Sequence, residues 1–199
     1  MISPLSATSI SKAADILMAG GVVVLPTDTV YGIAAHPGLT DAVARICTIK
    51  GRPTGKPIAL LASEREAVER FGARFPAVAK RLAARYWPGA LTLVLPCGDG
   101  CEGFRVPAHD GARELIAACG GVLRVTSANL SGEMPATCAV AALKDVGLEA
   151  DLVLDGGVSP GGVASTVVKV TTDGQLTVIR VGAIPAKDIM NFEGQNSNG

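Results

Sequence analysis

The stretch Val22–Gly32 reads Val-Val-Val-Leu-Pro-Thr-Asp-Thr-Val-Tyr-Gly and joins an apolar run to a polar turn. The run of β-branched residues and its closing proline predict a short strand that is buried on both faces. Hydrogen-bonding side chains follow directly, at Thr27, Asp28, Thr29 and Tyr31. Ligand-binding groups collect at such strand ends in open α/β sheets. A turn capped by Thr and Asp has the same composition, so this stretch alone leaves the choice open.

Helical and strand-like patterns alternate on both sides of this strand. Apolar residues recur at helical spacing from Ile10 to Met18, and Gly20-Gly21 ends that helix. Thr40-Asp41 and the capping box Ser63-x-x-Glu66 mark two further helix starts. More helices are predicted at 76–86, 110–119 and 136–146, and more strands at 58–61, 90–95, 122–126 and 151–154.

The end of the chain departs from this alternation, because two consecutive strands are predicted there. Residues 165–170 and 176–181 flank Thr172-Asp173-Gly174 in the pattern of a β-hairpin. We therefore predict an α/β fold, a single domain with a twisted, open sheet of mixed parallel and antiparallel strands and helices on its faces. The domain is expected to span residues 1–185, followed by a frayed polar tail at 186–199.

The composition argues against several classes of function. Apolar residues make up 48% of the 199 residues and charged residues 18%, as in a well-packed globular chain. No apolar stretch reaches the roughly 18 residues of a membrane span, so no membrane contact is expected. Aromatic residues make up only 4%, which argues against stacking on single-stranded nucleic acid. The formal net charge of zero argues against a general polyanion binder.

The charges are nevertheless distributed unevenly. Residues 41–85 carry ten Lys or Arg against four Asp or Glu, while the remainder carries eight against fourteen. This distribution predicts either a local electropositive groove or two solvated helix faces. The five cysteines are scattered, and the N-terminus has no pattern of a targeting signal. We therefore expect reduced thiols in a cytoplasmic protein.

A basic segment, Lys50-Gly-Arg52-Pro-Thr-Gly-Lys56-Pro, follows the helix that is predicted to end at Ile49. Three cations close together suit an anionic ligand, because Arg offers a planar fork and Lys a point charge to phosphate or carboxylate oxygens. A solvated basic turn is an alternative of equal weight. The segment is not a P-loop, because three residues separate its glycines and a proline follows the lysine.

Two more polar clusters lie at or beyond predicted strands. Residues Thr126–Gly132 read Thr-Ser-Ala-Asn-Leu-Ser-Gly, whose small polar side chains suit close approach to phosphate or ribose oxygens. Ser165 and Arg180 lie on the two strands of the predicted hairpin, where a hydroxyl and a guanidinium would flank one pocket. An ordinary Ser/Asn turn is the alternative for the first cluster. Together the clusters supply hydrogen-bond donors for an anion. A Ser-His-Asp hydrolase is a less favoured alternative, because triads form in space and sequence spacing does not exclude them.

Seven motifs, taken in order, resemble those of the YrdC-type L-threonylcarbamoyladenylate synthases. The resemblance covers about residues 14–184, and seven motifs in the family's order are highly specific although each is weak alone. The motifs are Pro-Thr-Asp-Thr-Val-Tyr-Gly at 26–32, Lys-Gly-Arg-Pro at 50–53, Trp-Pro-Gly-Ala-Leu-Thr at 87–92, Arg-Val-Pro-Ala-His at 105–109, Ser-Ala-Asn-Leu-Ser-Gly at 127–132, Ser-Thr-Val-Val at 165–168 and Ile-Arg-Val-Gly-Ala-Ile at 179–184.

The resemblance implies a reaction and its partners. L-threonine, bicarbonate or CO2, and ATP would give threonylcarbamoyl-AMP and pyrophosphate, with Mg2+ accompanying the ATP and no metal held by protein side chains. The product would serve the threonylcarbamoyladenosine modification of tRNA next to the anticodon, which a separate threonylcarbamoyl transferase complex would complete. The basic region also allows a weak contact with tRNA or another RNA.

The resemblance also implies roles for residues at matching positions. The family's polar tetrad, to which catalysis is assigned, falls on Lys50, Arg52, Ser127 and Asn129. ATP binding falls on Arg52, Lys56, Ser127, Asn129 and Arg180. Threonine binding falls on Thr29, Tyr31, Arg105, Val125 and Ser165, with Arg105 as the partner of the threonine carboxylate.

The chain departs from the family pattern at a few positions. Leu61 stands where some members carry a histidine near threonine, and Cys101 and Pro135 stand where some relatives have hydroxyl residues. Because the chain stops soon after the synthase region, we expect the short, single-domain form with an active site more open to solvent. Two alternatives stay open: a non-catalytic RNA-binding protein of the same fold, and a carbamoyl-adenylate chemistry with an acceptor other than threonine.

Overall fold

The computed structural model describes residues 1–52 and 57–194. Its strands are β1 (Ile2–Pro4), β2 (Val23–Leu25), β3 (Gly32–Ala35), β4 (Leu60–Ala62), β5 (Leu91–Cys97), β6 (Gly100–Arg105), β7 (Val122–Ser127), β8 (Leu152–Asp155), β9 (Thr166–Val170) and β10 (Leu176–Arg180). Its helices are α1 (Ala7–Met18), α2 (Thr40–Ile49), α3 (Arg65–Arg70), α4 (Ala77–Tyr86), α5 (Asp110–Ala118), α6 (Ala139–Ala142, continued by a π-helical turn over Leu143–Gly147) and α7 (Ala186–Gly194).

The strands of the described residues form one open sheet in the order β1-β8-β2-β3-β7-β4-β6-β5-β9-β10. Four neighbouring pairs are parallel, namely β1–β8, β8–β2, β4–β6 and β5–β9. The other five are antiparallel, and they include the β9–β10 hairpin that the sequence predicts. The predicted single α/β domain with a mixed, open sheet and helices is therefore confirmed.

Helices cover the sheet through three apolar clusters. Helices α1 and α5 pack on a cluster that includes Leu25 and Leu123. Helices α2 and α6 pack on the opposite face of the same strands, around Val24 and Ile33. The third cluster joins α3 and α4 to β5, β6 and β9, around Phe104. Adjacent residues of a strand point to opposite faces, so Val24 and Leu25 serve different clusters.

The half of the sheet between β4 and β10 has helices α3 and α4 on one face. On β5, Leu91, Leu93 and Leu95 point towards these helices and are fully buried. The alternate residues Thr92 and Val94 point to the other face, together with Arg105 of β6. This other face carries the cavity described below.

The sequence pattern does not predict β1, β3 or β6. Strand β3 directly follows the polar turn, and β6 contains two glycines, so neither has the alternation of a half-buried strand. Both are held as strands by pairing on each side, β3 between β2 and β7 and β6 between β4 and β5. Tertiary pairing overrides weak local preference in such segments.

Two predicted helix caps are wrong. The N-cap residues of α2 and α3 are Leu39 and Glu64, and neither makes a side-chain capping hydrogen bond. The capping box of the described residues lies instead at the start of α1, where Ser6 and Ser9 exchange side-chain and backbone hydrogen bonds. Since both helices pack an apolar face on the sheet, they form without a cap.

Residues 186–194, which the sequence analysis assigns to the tail, form α7 in the structure. Ile189 is fully buried in the cluster with α4, because this apolar residue completes the cover over β5 and β9. Residues 195–199, whose polar composition suggested fraying, lie outside the described residues. Within the described ranges, no helix combines the length and apolar character needed to cross a membrane.

Candidate active site

A cavity of about 420 Å³ lies on the face of β5, β6 and β9 that is opposite α3 and α4, and it extends to β3 and β7. Its wall brings together most of the site residues that the sequence suggests. These are Thr29, Tyr31, Arg52, Arg105, Val125, Ser127, Ser165 and Arg180. Lys56 lies outside the described residues, and Lys50 and Asn129 lie beside the cavity without lining it.

Arg105 is the best-buried cation of the wall. The end of β6 places it so that Nε donates to the carbonyl of Gly89 at 2.9 Å. Nη1 donates to Thr29 Oγ1 at 2.8 Å, and Nη2 donates to Asp28 Oδ1 at 2.5 Å. Burial lowers the pKa of the guanidinium, and the Asp28 carboxylate opposes that shift. Three of its five N–H groups have partners among the described residues, and Arg105 also lines the cavity.

The hydroxyls of the polar turn have defined directions. Thr27 Oγ1 donates its proton to the carbonyl of Val30 at 2.7 Å. It therefore accepts from Thr29 Oγ1, which lies 3.0 Å away. Thr29 in turn accepts from Arg105. The turn thus supplies Arg105 with a carboxylate and an oriented hydroxyl, and both contacts fix the plane of the guanidinium.

A second guanidinium, that of Arg180 on β10, lines the same cavity, and its charge also lowers the pKa of Arg105. Arg180 Nη2 donates to the carbonyl of Ser165 at 2.8 Å and to Ser165 Oγ at 3.3 Å, while Nε donates to the same carbonyl at 3.2 Å. Ser165 Oγ also bonds Thr92 Oγ1 at 2.8 Å. Partial burial lowers the pKa of Arg180. The hydroxyl and guanidinium of the hairpin therefore flank one pocket, as predicted.

Lys50 ends α2 and has its ammonium group buried against main chain. Nζ donates to the carbonyls of Ser127 and Asn129, and the amide of Ser131 donates to the carbonyl of Lys50 at 2.9 Å. Burial and the neighbouring charge of Arg52 lower the pKa of Lys50 to about 8. In this structure Lys50 therefore holds the main chain at the end of β7 and in the loop that follows, and its direct ligand role stays a prediction of the resemblance.

Asn129 has a similar structural position. Nδ2 donates to the carbonyls of Leu130 and Glu133, both at 2.8 Å. Oδ1 is buried and has no hydrogen-bond partner among the described residues. Arg52 Nε is likewise buried without a partner there, although Arg52 Nη2 donates to the carbonyl of Pro57 at 2.9 Å. Buried polar atoms without partners are uncommon in folded proteins. Of these two residues, only Arg52 lines the cavity.

Comparison with known proteins identifies the family of the chain. Residues 15–182 match the family model Sua5_yciO_yrdC, which is described as telomere recombination. The chain belongs to the Sua5/YciO/YrdC family. A family member from Bacillus subtilis named threonylcarbamoyl-AMP synthase is 36% identical over 191 residues, and one of the same name from Pyrococcus abyssi is 34% identical over 193. These matches cover 90% and 92% of this chain but 55% and 56% of the relatives, so the chain spans about half of their length.

A family member of known structure is closely similar in fold. The crystal structure of Pyrococcus abyssi Sua5 complexed with L-threonine superposes with a TM-score of 0.91 and 32% sequence identity. The alignment covers 98% of this chain and 61% of Sua5. The shared fold therefore includes the whole sheet on which the cavity lies.

Two residues that the family resemblance placed at the threonine site contribute mainly through their position. Tyr31 is fully buried, and its hydroxyl donates to the carbonyl of Gly157 at 2.7 Å. The amide of Val125 donates to the carbonyl of Ala59 at 2.9 Å. The ring of Tyr31 and the side chain of Val125 therefore form part of the wall, while the Tyr31 hydroxyl and the Val125 amide bond to the protein.

Sequence reasoning assigned no site role to Asp28 or Thr92. Asp28 is one of the polar side chains of the turn, and its position next to Thr29 is the sequence feature that indicates a place in the site. Thr92 is one of the alternate residues of β5, so its direction depends on which face α4 covers. Leu61 and Cys101, two of the departures from the family pattern, line the cavity and make that part of the wall less polar.

Proposed function

We propose that this chain synthesises L-threonylcarbamoyladenylate from L-threonine, bicarbonate or CO2, and ATP, with release of pyrophosphate. The observation that carries the proposal is one cavity whose wall contains three guanidinium groups, those of Arg52, Arg105 and Arg180. Threonine has one carboxylate and ATP a triphosphate, so this reaction needs separated cationic groups around a shared space. The names of the relatives and the threonine complex of Sua5 support the same reaction.

The chemistry needs little from the protein beyond position and charge. The threonine amine attacks the carbon of CO2, loses a proton to solvent and becomes a carbamate. A carbamate oxygen then attacks the α-phosphorus of ATP, and the bond to the bridging oxygen breaks as pyrophosphate leaves. No protein nucleophile is required. Holding the reactants in line and neutralising the leaving group are the dominant contributions.

Each cavity residue has a role in that scheme. Arg105 binds the threonine carboxylate through its two remaining N–H groups, with Thr29 and Ser165 on the same wall. Arg52, Ser127 and Arg180 bind the triphosphate, and Lys56 of the basic segment is proposed to join them. Lys50 acts through the main chain at the end of β7, where its ammonium group holds the carbonyls of Ser127 and Asn129 beside the cavity.

The donor set fits Mg2+ as a companion of ATP. No carboxylate lines the cavity among the described residues, and Ser127 contributes a hydroxyl to its wall. Mg2+ keeps several waters and binds substrate phosphates readily. When bound it would neutralise charge on the phosphates, with Ser127 as the protein group within its reach.

The proposal extends to the place of action. The product would pass to a separate threonylcarbamoyl transferase complex for tRNA modification, in the cytoplasm. Its chemistry is consistent with this, because a mixed carbamic–phosphoric anhydride is an activated group that another enzyme must transfer before water does. A direct contact with tRNA is a weaker part of the proposal, which rests on the basic region alone.

The test is pyrophosphate release from ATP by the purified chain. Release is expected only when threonine and bicarbonate are both present. Arg52→Ala should abolish it without unfolding the protein, since a cavity side chain is removed. Arg81→Ala, an exposed arginine on α4, is the matched control and should retain turnover. Pyrophosphate release that ignores threonine would refute the proposal, and salt-sensitive RNA binding without turnover would favour the RNA-binding alternative.

A further inference from the structure

A glycine-rich strap, residues 156–163, lies on the polar turn that holds Arg105. Its sequence is Gly-Gly-Val-Ser-Pro-Gly-Gly-Val, and it leads from β8 to Ala164 in the cavity wall. The amide of Gly161 donates to the carbonyl of Asp28 at 3.1 Å. The amide of Gly162 donates to the carbonyl of Thr29 at 2.8 Å. The strap therefore holds the main chain of both residues that contact the guanidinium of Arg105.

Tyr31 fastens the other end of the strap. Its hydroxyl donates to the carbonyl of Gly157 at 2.7 Å and accepts from the amide of Gly156 at 3.2 Å. Asp155 Oδ1 accepts from the amide of Gly157 at 2.9 Å. Burial raises the pKa of the Tyr31 phenol further above its ordinary value. The same turn is thus bound to the strap through two carbonyls and one side chain.

The contact at Gly161 has no room for a side chain. A Cβ atom there would lie 2.7 Å from the carbonyl oxygen of Asp28 and 3.1 Å from Thr29 Cα. Real Cβ atoms do not approach main chain this closely, so any larger residue would separate the strap from the turn. Direct backbone contact is therefore what transmits the position of the strap to Asp28 and Thr29.

We propose that Tyr31 and Gly161 are positioning residues for the amino-acid substrate. Through the strap they hold Asp28 and Thr29, and these orient the two free N–H groups of Arg105 towards the carboxylate. The inference rests on the proposed function, because it assigns that carboxylate to Arg105. It moves Tyr31 from a contact of threonine to a residue that acts through the strap.

The experiment compares Tyr31→Phe and Gly161→Ala with Gly100→Ala in the full chain. Gly100 is the matched control, because a Cβ there meets nothing within 4 Å. The first readout is steady-state pyrophosphate release, with threonine and ATP varied separately. Tyr31→Phe and Gly161→Ala should each raise the KM for threonine about tenfold while kcat at saturating threonine stays nearly unchanged, because substrate binding is misaligned. Gly100→Ala should match the parent.

The second readout does not depend on turnover. The Nε–H signal of Arg105 in a nitrogen-15 NMR spectrum, assigned by its loss in Arg105→Lys, should shift in both test variants and stay in place in Gly100→Ala. If the parent releases no pyrophosphate, the proposed function fails and this signal still decides the positioning claim. Should Gly161→Ala not fold, Tyr31→Phe decides, since it removes one oxygen atom only. An unshifted signal, or a lower kcat with unchanged KM for threonine, overturns the inference.

Discussion

Arg105 combines burial with a carboxylate partner and a free edge on the cavity. A buried cation is tolerated only when it is paired and hydrogen-bonded, and Asp28 and Thr29 provide this. The ion pair leaves the guanidinium planar and fixed. A fixed fork binds a carboxylate with two parallel hydrogen bonds, which a flexible ammonium group does not reproduce.

Arg105→Lys tests this reading at the level of one side chain. The substitution keeps the positive charge near Asp28 but removes the fork, so the KM for threonine should rise by about ten- to a hundredfold, as expected for loss of charged hydrogen bonds. The KM for ATP should change far less. The two constants are measured by pyrophosphate release. Equal increases in both would mean that Arg105 organises the whole cavity and not the threonine side.

Lys50 predicts a particular pH dependence of stability. The pKa of Lys50 is about 8 in the folded chain and has its ordinary value of 10.5 in the unfolded chain. Between these pH values the unfolded chain binds more protons at this site, so the contribution of Lys50 to the free energy of unfolding rises as pH increases. Below pH 8 the lysine is charged in both states and the full cost of burying the charge applies.

The measurement is a pair of denaturant titrations with the parent and Lys50→Met. The difference in free energy of unfolding between them should shift in favour of the parent from pH 8 to pH 10.5, the interval set by the two pKa values. Lys80→Met, an exposed lysine on α4, should give a difference that does not vary with pH. A flat difference for Lys50→Met as well would contradict the burial argument.

At the scale of elements, the β9–β10 hairpin is held to the chain that follows it by one hydroxyl. Thr166 is fully buried, and its Oγ1 donates to the carbonyl of Ile184 at 2.6 Å. It also accepts from the amides of Gly182 and Ile184, at 2.9 and 3.0 Å. This side chain therefore sets the position of the hairpin that carries Arg180.

Thr166→Val keeps the shape of the side chain and removes these three hydrogen bonds. Leaving a buried carbonyl and two amides unpaired should lower the free energy of unfolding by about 2–4 kcal/mol. Thr177→Val on the exposed side of β10 is the matched control, and a surface change of this kind should stay within about 0.5 kcal/mol. Chemical denaturation provides both values. A loss for Thr166→Val no larger than that of the control would show that water replaces the hydroxyl.

Much of the fold was predictable because strongly patterned elements report their own structure. The local sequence is sufficient to predict three features: the valine run of β2, the helical spacing of apolar residues in α1, and the Thr-Asp-Gly turn of the last hairpin. Strands β3 and β6 do not, because their state depends on neighbours that are distant in sequence. A helix cap was misplaced for the same reason, since α3 begins where its apolar face meets the sheet.

The candidate site was likewise predictable from the sequence only in part. Polar residues at strand ends pointed to Thr29, Ser127, Ser165 and Arg180. Tertiary structure was needed to see that Lys50 turns to the carbonyls of Ser127 and Asn129, since helix and loop meet only in the folded chain. The strap could not be predicted either, because a Gly-rich stretch reads as an ordinary loop until its amides are placed against Asp28 and Thr29.

For the molecule as a whole, helices α3, α4 and α7 cover one face of the β4–β10 half-sheet, and the cavity occupies the other. Ile189 of α7 is fully buried in this cover. The helix is therefore part of the packed domain, and the boundary at residue 185 stays a prediction of sequence only. Helices α3, α4 and α7 pack on the other face of β5 and β9 and so keep Thr92 and Ser165 in place on the cavity side.

Ile189→Ala measures how much α7 contributes. Truncating a buried isoleucine should lower the free energy of unfolding by about 2–5 kcal/mol. Met190→Ala is the neighbouring control, because Met190 is 46% exposed, and it should have little effect. Thermal and denaturant unfolding monitor both variants. If Ile189→Ala is as stable as the control, α7 is detached from the domain in solution.

The most direct test of the central claim is a crystal structure of the chain with L-threonine and a non-hydrolysable ATP analogue. The account predicts both molecules in the one cavity, with the threonine carboxylate on Arg105 and the triphosphate on Arg52 and Ser127. Asp28 and Thr29 should keep their contacts with Arg105. A structure in which threonine lies away from Arg105, or in which the nucleotide binds outside this cavity, would contradict it.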